Sequence, residues 1–125
     1  MKIFNHPLIE SEKFHKISAI EKIKTTPPNS TLFIPKFDIE IAKFCQKNFL
    51  PYSMILSSIK EGIFANLLGC KYGIADKNLA KELTPIAQNY LFDMEILAII
   101  QDDSEIEEMA KVGIDGVIYL KTWIR

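Results

Sequence analysis

Five short stretches of the chain are almost continuously apolar: residues 31–35 (TLFIP), 52–56 (YSMIL), 72–75 (YGIA), 95–100 (EILAII) and 116–120 (GVIYL). A strand with one face in water alternates apolar and polar residues. Runs without alternation suit strands covered on both faces, as in a parallel sheet. The stretches recur about every twenty residues, with one longer gap before the fourth. That interval holds one strand, one helix and two short loops.

The segments between them carry the helical period. Residues 38–48 place Ile41, Phe44 and Cys45 on one face, and 59–68 place Ile63, Phe64, Leu67 and Leu68 together. Ile106, Met109, Ala110 and Val112 mark a helix of the fourth unit. Ser58-x-x-Glu61 and Ser104-x-x-Glu107 read as capping boxes, in which each side chain satisfies an orphan amide at a helix start. Gly69 and Gly113 follow their helices where a left-handed residue is favoured. Leu56, Ser58, Gly69 and Ile74 align with Ile100, Asp102, Gly113 and Ile118 at a constant offset, the self-similarity of strand–helix units. Residues 77–92 contain Pro85, and Thr84-Pro85 reads as an N-cap with its first helical position, so the pattern predicts a kink or break there. Phe14, Ile17, Ala19, Ile20 and Ile23 form an apolar stripe that predicts an N-terminal helix over 11–24. Residues 25–30 (TTPPNS) would end it.

Parallel strands need crossovers, and these are right-handed. The expectation is an α/β domain over residues 1–125. Its core is a five-stranded, mainly parallel, doubly wound sheet in flavodoxin-like order 2-1-3-4-5. Residues 1–30 form an N-terminal extension, whose helix covers the face left bare because no helix follows the last strand. The chain is too short for an eight-fold strand–helix barrel, which needs about 200 residues. Trp123 and Ile124, apolar at the end of the sequence, suggest a homodimer.

Composition narrows the function classes. Of 125 residues, 48% are apolar and 25% charged, and 15 basic against 16 acidic side chains leave a net charge of −1. No basic surface for nucleic acid is expected. The longest purely apolar run, 96–100, is far short of a membrane span, and the start (MKIFNHP) lacks a signal core. The expected location is the cytoplasm, with Cys45 and Cys70 as reduced thiols. Cys45 lies on an apolar helix face. Cys70 sits beside Lys71, an arrangement that would lower a thiol pKa. His6 and His15 fall in the N-terminal segment, away from the expected strand ends. There is no zinc spacing, dinucleotide fingerprint, P-loop or nucleophile elbow, so neither metal nor cofactor is expected.

Open α/β sheets bind ligands beyond the carboxyl ends of their strands. That rule selects Asp38, Ser57, Asp76, Asp102, Asp103 and Lys121 as candidate ligand-binding residues. Asp38, Ser58, Asp76 and Ser104 also stand at helix starts, where capping accounts for them. Asp102 and Asp103 exceed what one cap needs.

Residues 70–121 resemble the second half of a response-regulator receiver domain. Tyr72-Gly73-Ile74-Ala75-Asp76 matches the strand that ends in a phosphoacceptor aspartate, and residues 113–121 (GIDGVIYLK) match the strand that ends in lysine. The resemblance implies a flavodoxin-like fold, with Asp76 as acceptor and Lys121 as its partner. Gln101 replaces the family's hydroxyl, and Pro35-Lys36-Phe37-Asp38 stands where the magnesium-binding acids would be. Residues 50–72 also resemble a unit of small aldolase barrels, but Ile74 occupies the place of the Schiff-base lysine.

The resulting expectation is a non-catalytic regulatory or binding domain that engages a partner protein or itself. Two alternatives stand beside it. One is a small enzyme or ligand-binding protein with an acidic pocket at the carboxyl ends of the strands. The other is a structural subunit of a larger assembly.

Overall fold

The fold is taken from a computed structural model, which describes residues 1–120. Among the described residues seven strands run in chain order: β1 (Lys2–Phe4), β2 (Phe14–Lys16), β3 (Thr31–Ile34), β4 (Tyr52–Ile55), β5 (Tyr72–Ala75), β6 (Glu95–Ile100) and β7 (Gly116–Tyr119). A 3-10 helix, Ile20–Thr25, follows β2. The α-helices are α1 (Ile39–Lys47), α2 (Ile59–Leu67), α3 (Lys77–Asn89) and α4 (Ser104–Val112).

The five apolar runs are β3 to β7. The count of five is nevertheless wrong, because β1 and β2 have only three residues each and carry little apolar signal. The helix expected over 11–24 does not form. Residues 14–16 instead pair with β3, and Ile17 extends that edge by donating its N–H to the Phe33 carbonyl at 2.9 Å. Satisfying the backbone edge of β3 outweighs a local helical stripe.

All pairings are parallel, in the spatial order β1-β7-β6-β5-β4-β3-β2. The flavodoxin-like order is therefore corrected. That order requires the chain to reverse direction across the sheet, whereas from β2 to β7 it advances steadily one way. Right-handed crossovers that advance one way lay every helix on the same face.

The apolar clusters show this segregation. One joins helix residues such as Ile41, Ala65, Leu83 and Met109 to Leu32, Met54, Ile96 and Val117 of the strands. The other consists of Phe4, Phe33, Tyr72, Ile74, Leu97 and Ile118, with Phe14, Ile55, Ile99 and Leu120 against it, and holds no residue of any helix. The sheet curls to bury this second face. Its edge strands meet through Phe4 and Phe14, whose rings stack with centroids 5.3 Å apart. Curling replaces the covering helix expected from residues 11–24.

α3 runs unbroken through Pro85, and Thr84 is not an N-cap. It is buried mid-helix and donates its Oγ1 hydroxyl to the Ala80 carbonyl at 2.8 Å. Buried Leu79, Ala80, Leu83 and Ala87 anchor the helix on both sides of the proline. Packing overrides the local cost.

All four α-helices end in the same pair of backbone bonds. The sixth-to-first bond runs from Leu50 to Cys45, Cys70 to Ala65, Phe92 to Ala87 and Ile114 to Met109. The inner bond comes from the residue before, which must be left-handed. That residue is Gly69 for α2 and Gly113 for α4, but Phe49 (φ 56°) for α1 and Leu91 (φ 53°) for α3. A side chain in this region costs about 1 kcal/mol or more. Phe49→Gly and Leu91→Gly should each leave folding stability unchanged or raise it by up to about 1 kcal/mol, less the chain entropy that glycine adds to the unfolded state. Urea denaturation of the variants checks this, and a clear loss would mean that these side chains stabilise the isolated fold.

Candidate functional site

At the carboxyl ends of the strands, the sequence candidates are engaged with the starts of their own helices. Asp38 Oδ1 accepts the Ile41 N–H at 3.0 Å, and Asp76 Oδ1 accepts the Leu79 N–H at 2.8 Å. Ser57 donates its N–H and its hydroxyl to Glu61 Oε1 at 2.8 and 2.9 Å, while Ser58 Oγ accepts the Glu61 N–H. The box expected at Ser104 and Glu107 does not form. Asp102 and Glu105 take those roles: Asp102 Oδ1 accepts from the Ser104 N–H, and Glu105 Oε2 accepts from the N–H groups of Gln101 and Asp102. Ser104 thereby becomes the first residue of α4 rather than its cap. The Lys77 ammonium, 2.7 Å away, and these two amides hold the Glu105 carboxyl down at about 2. Lys121, Trp123 and Ile124 lie outside the described residues.

Among the described candidates, Asp103 is the one whose side chain bonds residues distant in sequence. It accepts the Tyr119 hydroxyl and His6 Nε2, the latter at 3.0 Å. His6 thus stands beside a strand end, contrary to expectation, because β1 places it there. Its Nδ1 accepts the Leu8 N–H at 3.0 Å, which leaves the proton on Nε2. Asn5, left-handed at φ 66°, donates Nδ2 to the Tyr119 carbonyl at 2.9 Å. Burial and the bond to Asp103 push the Tyr119 hydroxyl up to about 12. With both ring nitrogens of His6 engaged, the cluster holds the loop after β1 in place.

The opposite end of the sheet holds a polar layer that the sequence reading missed. Lys2, Glu12, Thr31, Tyr72 and Glu95 each lie two residues before Phe4, Phe14, Phe33, Ile74 and Leu97. A period of two puts them on the same inner face. Lys2 Nζ is 2.9 Å from Glu95 Oε2 and 3.3 Å from the Tyr72 hydroxyl. Tyr72 donates to Glu12 Oε1 at 2.7 Å, Thr31 donates to Glu12, and Lys71 Nζ lies 3.2 Å from Glu12 Oε2. Lys2 and Lys71 also sit over the Tyr72 ring, 5.2 and 5.3 Å from its centroid. Beside this layer, β1 and residues 9–12 line a cleft of about 360 Å³. The layer closes the apolar interior from below. The repeated polar-x-apolar step at strand starts was the available signal.

Cys45 and Cys70 are both buried free thiols. Burial pushes Cys45 up to about 11 and raises Cys70 as well, so the proximity of Lys71 does not activate Cys70. Among the described residues, no group of three or more His, Cys, Asp or Glu side chains is placed to hold a metal ion. Among the same residues, no helix is long and apolar enough to cross a membrane. No protein-family model matches the chain, and no curated protein is significantly similar to it.

Burial raises the Glu12 carboxyl, but hydrogen bonds from Thr31, Tyr72 and Lys71 outweigh it and leave the group below its ordinary value. A depressed carboxylate contributes stability above its unfolded pKa and loses it as pH falls through the folded one. Glu12→Gln should therefore cost about 1–2 kcal/mol at neutral pH. The difference from the natural chain should shrink once pH drops below about 4.3. Denaturation midpoints across pH measure this, and a pH-independent difference would assign the loss to packing alone.

Proposed function

We propose that this chain is a non-catalytic protein-binding domain and that its contact surface is the rim at the amino ends of the strands. The observation that carries this reading is a set of large apolar side chains left in water. Phe49 is 93% exposed, Leu91 84%, Tyr90 72% and Leu67 70%. All four lie at the carboxyl ends of α1, α2 and α3. Helices that cross back between parallel strands all finish at the same end of the sheet, so one rim collects these side chains. Two hydrogen bonds tie the helix ends together there: Gln46 Nε2 to the Leu67 carbonyl at 3.2 Å, and the Met94 N–H to Asn66 Oδ1 at 3.2 Å. Between α2 and the end of α3, Ile63, Asn66, Leu67, Tyr90 and Phe92 line a groove of about 340 Å³. Isolated apolar residues on a surface are ordinary, whereas a clustered set rimmed by polar groups marks an interaction surface.

The carboxyl ends of the strands offer less to a substrate. Asp38, Ser57, Asp76 and Asp102 serve helix starts, and Asp103 holds the loop carrying His6. Replacing Leu67 and Leu91 together by Lys should reduce the fluorescence of an apolar dye bound to the chain in dilute solution, where the rim is uncovered, by more than about half. The far-UV circular dichroism should not change. Replacing Asp76, Asp102 and Asp103 together by Asn should leave dye binding as it was. Undiminished dye binding in the Leu67 and Leu91 variant would remove the rim as a binding surface.

A further inference from the structure

We infer that the partner seated on this rim is a second copy of the chain, placed so that Phe49 of each copy enters the groove between α2 and α3 of the other. The inference rests on the protein-binding reading above and names its partner.

The first support is the contrast among the four helix ends. They share one hydrogen-bonding pattern, and α2 and α4 meet its left-handed requirement with glycine. α1 and α3 meet it with Phe49 and Leu91 at φ 56° and 53°. Both side chains then project into solvent, so the isolated fold gains little from either. Backbone strain kept for a side chain that barely touches its own fold points to a contact outside it.

The second is self-complementarity. A two-fold interface needs a projection and a receiving surface on the same patch. The rim has both, with Phe49 standing clear of α1 and an apolar groove lined by Ile63, Leu67, Tyr90 and Phe92. An unrelated partner would need only one of them.

Area and charge agree. Phe49, Leu67, Tyr90 and Leu91 present on the order of 150 Å² each, roughly 600 Å² together. The exposed part of Ile63, which lines the groove, adds to this toward the roughly 800 Å² per partner of a standard interface. Exposed Lys47 lies two residues before Phe49, and exposed Asp93 two residues after Leu91. Seating Phe49 in the groove brings the Lys47 end of one copy to the Asp93 end of the other, with opposite charges facing. The net charge of −1 per copy opposes association little.

The test is sedimentation equilibrium of the full chain over a concentration series, with dye binding measured in parallel. The natural chain should form a dimer. Phe49→Glu should weaken it at least about tenfold. Phe49→Gly should weaken it similarly while the fold stays as stable, which keeps the test valid if the glutamate variant does not fold. Lys47→Asp should weaken the dimer, and adding Asp93→Lys should restore it. A natural chain that stays monomeric at its highest soluble concentration would overturn the second copy, while dye binding lost on substitution at Leu67 and Leu91 would keep the rim as a surface for another protein. A dimer indifferent to Phe49, Lys47 and Asp93 would place the contact on another face and overturn the inference. Dye binding that is also undiminished by substitution at Leu67 and Leu91 would end the protein-binding reading.

Discussion

The structure depends on burying a sheet face that no helix covers. Strands β2 to β7 advance in one direction, and right-handed crossovers put every helix on the same side. The other side would then leave Phe4, Phe33, Ile74, Leu97 and Ile118 in water. Curling removes them from it, and the stacked rings of Phe4 and Phe14 join the two edges. Two strands of three residues each are enough for this. They add an aromatic ring at either edge and pair with the outer strands of the central five.

Curling makes two unlike ends. At the carboxyl ends of the strands the chain turns into helices, and acids and hydroxyls there bind the free amides of the first helical turn. At the amino ends the interior is closed by Lys2, Glu12, Thr31, Tyr72 and Glu95. The helices return to this second end and finish there. Exposed Phe49 and Leu91 follow two of them. In this fold, polar chemistry serves the architecture at both ends, and the apolar surface at the amino end is the feature the architecture does not use.

Much of this was legible in the sequence. The runs at 31–35, 52–56, 72–75, 95–100 and 116–120 coincide with strands, and α1, α2 and α4 lie where the apolar period and the capping residues Asp38 and Ser58 place them. The misses share a physical origin. β1 and β2 are stabilised by pairing with residues far along the chain, so three-residue segments carry no local sign of them. α3 tolerates Pro85 because its buried face is anchored on either side. The cap of α4 shifted because Asp102 and Glu105 close the turn two residues earlier, accepting the N–H groups of Ser104, Gln101 and Asp102. His6 was misplaced because β1 was missed.

The sequence by itself determined that strands alternate with helices, that the strands are parallel, and where most helices begin and end. These follow from periodicity and from hydrogen bonds closed within a few residues. Only the tertiary structure decided the strand order, the curl of the sheet and the union of Lys2, Glu12, Tyr72 and Glu95 in one layer. It alone gathered Phe49, Leu67, Tyr90 and Leu91 on one rim. Those outcomes depend on contacts between segments tens of residues apart, and on which sheet face is left for the chain to bury, a property that no single strand–helix unit carries.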